Sequence, residues 1–374
     1  MDFALNHEQE QLRDLAQRIL SDHVTQERLR AVESGSEWFD REAWRALARA
    51  NLIGIGFAEP SGGGGLSLFE VGLVLEEIGR RVAPIPYLAT VVMGGMPIER
   101  FGSDEQRSRL LLPVSAGDAV LSAALIEPAG DAALAPATVA RKDGSAWRLD
   151  GLKTSVPAAH LAERVLVPAT TGAGKVGMFL VDPRAPGVDL QRQTGTSGER
   201  LSRIALQDVV VEARDVLGDP LGGREILDWT LECTLAGLCM TELGVAAEAL
   251  RMTAEYTSKR EQFGKPVASF QAVGQRAADA YIDVEAIRMT AYQAIWRLAQ
   301  GLTAAEEVRI AKFWAAEGGH RVTYAAQHLH GGIGVDVDYP LHRYYVWSKQ
   351  IELTLGSAHP QLAELGALMA ARRA

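Results

Sequence analysis

Between about residues 120 and 217 the helical periodicity of this 374-residue chain fades, and that interruption limits what it can fold into. Upstream, apolar residues recur at helical spacing, and Leu12, Leu15, Ile19 and Leu20 share one face. Inside the interruption stand short segments, WRLDGLKTSV, ERVLVPA, GMFLVD and RIALQDVVV, separated by Asp-Gly, Gly-Ala-Gly and Pro turns. Segments of that length and spacing read as strands of a barrel or sandwich. Asp-Gly at 143–144 and at 150–151 favours hairpin turns. After Pro220 the helical pattern returns. Val273, Ala277, Ala280, Val284, Ile287, Ala291, Ala294 and Leu298 alternate steps of four and three, which suits a long helix of an antiparallel bundle. The order is α, then β, then α, with expected divisions 1–120, 121–218 and 219–374 and no internal repeat.

Local signals fill in the helical parts. Asn6 followed by Gln9 reads as a capping box, and a helix is expected after Asp40. AEPSGGGGLS (58–67) reads as a loop, LFEVGLVLEEIG (68–79) as a helix, APIPY (83–87) as a break, and about 103–117 as a further helix. The hydrophobic fraction of 47% provides for a sizeable core, and the net charge of −9 with no basic cluster argues against nucleic acid. Cys233 and Cys239 lie six apart on one helix, about 9 Å of rise, too far to bridge. With no metal spacing, no leader pattern at the N-terminus and no run of 18 apolar residues, the chain reads as a reduced cytoplasmic protein that spans no membrane.

Three stretches carry chemistry. In YTSKREQFGKPVASFQAV (256–273) a helix ends, with Arg260 in its last turn, Gly264 as C-cap, Pro266 barring continuation and Ser269 capping the next helix. Read structurally, Arg260 offsets the helix dipole and Phe263 packs. Read as a ligand site, Arg260 offers a fork for phosphate, Phe263 a stacking plane and Gln271 an amide, a set suited to a dinucleotide-like cofactor. In AAQHLHGGIGVDVDYPLHRYY (325–345), Gly331, Gly332 and Gly334 allow backbone N–H groups to approach an anion. His328 and His330 are two apart and share no helix face, so no metal site is read there. In QIELTLGSAH (350–359), Glu352 stands among Ile351, Leu353 and Leu355, and a carboxylate in apolar surroundings can serve as a base near neutral pH.

The ordered set R-x-Q-F-G-K-P…F-Q-A-V, then H-G-G-I-G…L-H-R, resembles the acyl-CoA dehydrogenase family. GFAEPSGGGGLSLFEVGLVLEEIGR, DEQRSRLLLPVSAGDAVLSAALIEPAGD and DGLKTSV extend the likeness over nearly the whole chain. The resemblance implies an α+β multidomain fold: an N-terminal helical domain, a middle β-barrel and a C-terminal four-helix bundle. It also implies FAD, CoA thioester substrates, electron-transfer flavoprotein and dimer-of-dimers assembly. In such enzymes a carboxylate removes the proton α to the thioester carbonyl and hydride passes from the β carbon to the flavin.

Carried over residue by residue, Arg260, Gln262, Phe263, Gln271, Gly331 and Gly332 match the face that meets the adenine end of a neighbouring subunit's FAD. His328 stands where the family usually has Gln, and Gln327 is displaced by one. The flavin-ring half departs further. The family's T-E-P-x-A-G-S-D becomes IEPAGD at 126–131, with Ile126 in place of a hydroxyl. Its W-I-T becomes Ser155-Val156-Pro157, where Pro157 also removes a backbone donor. Two family positions for the base exist. One falls on Glu352 when aligned from LHR (341–343), with Leu353 in place of Gly, or on Leu355 when aligned on Gly356. The other falls on Thr234, with Glu232 two positions away on a different helix face. Kept neighbour-side motifs with eroded ring and base motifs resemble the subunits that pair with a homologous acyl-CoA dehydrogenase chain as an α2β2 heterotetramer in steroid side-chain degradation. The alternatives are a self-sufficient homotetramer with Glu352 as base, and a non-catalytic structural homologue.

Overall fold

The computed structural model describes residues 3–128 and 136–372. The chain divides into two compact units that do not follow its linear order: residues 31–67 with 84–234, and residues 1–30, 68–83 and 235–374. Helices α2 (Gln26–Ser34) and α7 (Gly223–Lys259) carry the chain from one unit into the other.

The first unit opens on α3 (Arg41–Arg49), which starts where Asp40 places its carboxylate on the N–H groups of Glu42 and Ala43, each at 3.1 Å. A π-helical stretch, Leu88–Gly95, runs into α5 (Met96–Phe101). Next comes α6 (Asp104–Ser115), entered through a Ser103–Gln106 capping box. The helix at about 103–117, the 58–67 loop and the break at 83–87 are as read from the sequence, whereas the Ser103–Gln106 capping box was not. The π-helical stretch, α2 and α5 were not legible there.

The sheet of this unit comprises β1 (Leu121–Ala123), β2 (Val139–Asp143), β3 (Ala146–Pro157), β4 (Arg164–Thr170), β5 (Val176–Val181), β6 (Val188–Thr194), β7 (Arg200–Val211) and β8 (Val216–Leu217). Its order is β6-β7-β3-β2-β4-β5-β8, with β1 alongside β4. In a flat sheet β3 and β5, three strand steps apart, would lie about 14 Å from each other. The rings of Trp147 and Phe179 nevertheless meet at 5.5 Å, so the sheet curls around one core, lined also by Leu149, Val165, Val167 and Ile204. The Asp-Gly at 143–144 makes the tight β2–β3 turn, with Asp143 paired to Ala146. The Asp-Gly at 150–151 does not turn. It lies inside β3 at a register shift, where the Asp150 carboxylate accepts the N–H of Asp208 at 2.9 Å.

The second unit is helical. Its elements are α1 (His7–His23), with the expected Asn6–Gln9 capping box, α4 (Leu68–Arg81) and the C-terminal part of α7. They continue with a hairpin of β9 (Glu261–Gln262) and β10 (Lys265–Pro266), then α8 (Gln271–Ala299), α9 (Ala305–His330), α10 (Leu341–Leu353) and α11 (Ala358–Ala371). The four-and-three rhythm buries Ala280, Val284, Ile287, Ala291, Ala294 and Leu298 as expected, whereas Val273 and Ala277 near the start of α8 are only half-buried. Helix α7 is long and apolar enough to cross a membrane on length and composition alone, but 89% of its apolar window is buried, as in a core helix. Both cysteines are buried on α7 and unpaired.

Helix α4 carries two buried carboxylates. Glu76 accepts from Arg80 at 2.7 Å and from the Tyr292 hydroxyl at 2.9 Å, and Glu77 accepts from Arg80 at 3.1 Å. Burial holds the Glu77 carboxyl above its ordinary range despite Arg80 beside it.

Candidate cofactor face and candidate base

The segment 256–273 differs from the helix-to-helix joint read from the sequence. Helix α7 closes at Lys259, and the Arg260 N–H donates to the Tyr256 carbonyl at 2.8 Å just beyond it. Gly264 is not the helix C-cap. With Phe263 it forms the two-residue tip of the β9–β10 hairpin, at φ 75° and 56°. Ser269 does not cap α8 either. Its hydroxyl donates to the Pro266 carbonyl at 2.7 Å, and the position before α8 belongs to Phe270 with no side-chain cap. A hairpin tip projects, so Phe263 is 92% exposed rather than packed, with its ring 6.2 Å from that of Phe270, edge to face. Gln262 and Gln271 are exposed, and Arg260 is exposed with no ion pair among the described residues.

The glycine stretch lies beside it. Gly331 takes φ 65°, which favours glycine, as α9 ends. A Cβ on Gly332 would meet nothing within 4 Å, so no contact inside the chain calls for glycine there. Tyr256, one turn before Arg260, stacks on His330 at 4.4 Å, and His330 reaches the Tyr339 hydroxyl at 3.2 Å and the Ala326 carbonyl at 2.8 Å. This stack, with His330 buried and both tyrosines half-buried, brings the two glycine-bearing stretches together. Sequence reading missed it, although Tyr256, His330 and Tyr339 all stand within the quoted stretches. His328 is exposed, and the side-chain oxygen of its neighbour Gln327 is buried with no hydrogen-bond partner.

Glu352 has company that the sequence did not disclose. On α10 its carboxylate is held by Lys349 at 2.5 Å and lies 3.5 Å from His320, with the side chain 19% exposed. An ion-paired carboxylate is not the desolvated, unpaired base that the apolar neighbours suggested. Beneath it lies Lys312 of α9, fully buried, whose ammonium donates to the carbonyls of Ile351 and Glu352 at 2.8 and 3.1 Å and so closes the end of α10. Burial depresses the Lys312 amine to about 8. Glu242 of α7, also fully buried, accepts from the Ser348 hydroxyl at 2.8 Å, and burial pushes its carboxyl up to about 8. Gly319 is required opposite it: a Cβ there would fall 2.2 Å from Glu242 Oε1. The only sequence signal for this cluster was single charges, Glu242 and Lys312, inside otherwise apolar helical faces.

At the other candidate position the Thr234 hydroxyl is buried and donates to the Thr230 carbonyl at 2.7 Å, so no base stands there.

In the sheet unit the segments matched to the flavin-ring contacts are engaged within the chain. Glu127 accepts from Thr138 and from the buried ammonium of Lys153 at 2.6 Å. The carbonyl of Ile126 accepts from Thr154 at 3.0 Å, the Ser155 N–H donates to Gln193 at 2.9 Å, and Ser122 donates to the Pro157 carbonyl at 2.5 Å. Residues 129–131 of IEPAGD lie outside the described residues.

Comparison with known proteins agrees with these motifs. The family models for the acyl-CoA dehydrogenase N-terminal and C-terminal domains match residues 6–118 and 222–369. The chain belongs to the acyl-CoA dehydrogenase family, flavin-dependent oxidoreductases acting on acyl-CoA. Among its relatives, acyl-CoA dehydrogenase FadE27 of Mycobacterium tuberculosis is 37% identical over 98% of both chains. A structure described as the Tcur3481-Tcur3483 steroid ACAD G363A variant is 43% identical over 98% of both chains, with a TM-score of 0.92. The ChsE4-ChsE5 complex of Mycobacterium tuberculosis is 37% identical over 99% of both chains, with a TM-score of 0.93.

Proposed function

We propose that this chain is the partner subunit of a heteromeric, FAD-dependent acyl-CoA dehydrogenase that introduces an α,β double bond into a steroid side-chain CoA thioester. It works with a homologous subunit in an α2β2 assembly. The observation that carries this reading is the state of the two candidate base positions: Glu352 is tied to Lys349, and the Thr234 hydroxyl is spent on a backbone carbonyl. The similar steroid ACAD and the ChsE4-ChsE5 complex support the substrate class and the assembly.

The residues present fit one half of an FAD. Arg260 offers an uncommitted guanidinium for a pyrophosphate, Phe263 an exposed aromatic plane, and Gly332 a backbone open to close approach. Gln262, Gln271, Gly331 and, at the displaced position, His328 complete that face, held in place by the Tyr256–His330 stack. When bound, the flavin supplies the acceptor for the substrate hydride, and electrons pass on to an electron-transfer flavoprotein. This chain's part is to hold the adenine end. Removal of the α proton and the contacts to the flavin ring fall to the partner, because here the ring-side groups are already hydrogen-bonded internally. The reading places the protein in the cytoplasm, with domains divided near residues 120 and 218.

The test is to purify the chain alone and with its co-expressed homologous partner, and to record visible spectra and turnover. The chain alone is expected to be colourless and inactive and the pair yellow and active. A yellow, active homotetramer of this chain alone overturns the reading.

A further inference from the structure

Helix α11 breaks a rule that the other helices of its unit keep. Its sequence, AHPQLAELGALMAA, is apolar on almost every side, and a helix of that kind is ordinarily buried all round. Here only Ala358 and Gln361 are buried. Leu362 and Met369 are 46% and 48% exposed, and Ala363, Gly366 and Ala370 are exposed beside them. Steps of four and three place Leu362, Gly366 and Met369 on one face of the helix. A Cβ on Gly366 would meet nothing within 4 Å, so the middle of that face is open.

The helix is nevertheless held firmly. Its one carboxylate, Glu364, is bound to Arg309 of α9 at 2.7 Å, and Arg372, just past its end, to Glu306 at 2.8 Å. Both charges are spent within the chain, and the face of Leu362, Gly366 and Met369 carries none. An uncharged apolar face is its own complement. The net charge of −9 makes copies of this chain repel one another, and a face without charge is where two copies approach at least cost.

We propose that two copies of this chain meet through α11, antiparallel about a two-fold axis at Gly366. Leu362 and Met369 stand four and three residues to either side of Gly366, so the axis sets Leu362 of each copy beside Met369 of the other. Ala363, Gly366 and Ala370 let the two backbones come close. A single helix pair buries too little for a stable dimer, so this contact joins the halves of a larger assembly. The inference rests on the function proposed above only for there being two copies in one assembly, and a homotetramer supplies them equally.

The test uses the purified co-expressed assembly and reads its mass by light scattering. Leu362→Glu, at an exposed position, is expected to halve that mass while flavin is retained. Adding Met369→Arg is expected to restore it, because each new carboxylate then meets a guanidinium across the axis. Within one chain the two positions lie two turns apart, about 10.5 Å, so the rescue comes from the other copy. Both native cysteines are buried, and Gly366→Cys is expected to link this chain to itself with a short bismaleimide, whereas Lys142→Cys, exposed on the sheet unit, stays unlinked. An unchanged mass for Leu362→Glu, a double variant that stays halved, or a Gly366→Cys chain that links to the homologous subunit or not at all overturns the pairing. Colour and turnover of the chain purified alone decide the proposed function and leave these readouts untouched.

Discussion

The proposed cofactor face and the surroundings of Glu352 lie in the same helical unit and treat their polar groups in opposite ways. At 260–264 and 331–332 the chain leaves groups unspent: a free guanidinium, a ring 92% exposed at the tip of a hairpin, and a glycine with open space before it. Around Glu352 most polar groups have a partner inside the chain, the second carboxylate oxygen of Glu242 being buried without one. Lys349 and His320 flank the carboxylate, Lys312 fills the end of α10, and Ser348 meets Glu242. Groups left unspent on a surface are available to something outside the chain. Groups satisfied internally serve the fold, whatever their chemistry would permit elsewhere.

The contrast is broken most directly at its exposed side. Arg260→Gln combined with Phe263→Ala should weaken flavin retention by the assembled enzyme about a hundredfold, read as flavin absorbance per protomer after dialysis. The melting temperature should barely move, because neither side chain packs. A large loss of stability with flavin retained would reverse the assignment.

On the satisfied side, Lys312→Met should lower stability by about 1–3 kcal/mol in urea unfolding, since two carbonyls at the end of α10 lose their donor. The amine is depressed from 10.5 to about 8, so the wild-type contribution rises with pH between those values and the variant loses that rise.

Glu242→Gln sharpens the same point. The carboxyl is raised from 4.5 to about 8, facing Lys312, Lys349 and Glu352, so folding takes up a proton in that window. Its contribution is full below pH 4.5 and is lost as pH rises through 8. The variant should flatten the stability–pH curve there by at most about 1.4 kcal/mol per pH unit.

The smallest effect is expected at Glu352 itself. Glu352→Gln should leave turnover of the assembled enzyme within about twofold and cost under about 1 kcal/mol of stability. Abolished turnover with flavin still bound would restore it as the base.

How much of this was legible beforehand depends on the range of the interactions involved. The four long strand segments, the Asn6–Gln9 capping box and most of the rhythm of α8 are written in neighbouring residues and were read from them. The turn at 143–144 and the bulge at 150–151 share the dipeptide Asp-Gly, and only the pairing of β3 with β7 tells them apart. Phe263 looked like a packing residue because a helix C-cap and a hairpin tip share their glycine. The partners of Glu352 lie on two helices. Lys349 is on its own helix one turn away, a spacing visible in principle, but His320 and Lys312 come from α9 and no local pattern announces them. The residues of the proposed cofactor face, by contrast, lie in two short stretches, and their types alone suggest the proposal.

The helical unit gathers residues 1–30 and 68–83 with residues 235–374. On a ribosome, Glu76 of α4 emerges some two hundred residues before Tyr292, the partner that shares its carboxylate. At about 5–20 residues per second that is a wait of roughly ten to forty seconds. During that time α1 and α4 must be kept from improper associations while the sheet unit forms first. Nascent-chain handling, as much as the finished contacts, therefore governs the yield of active protein from this gene.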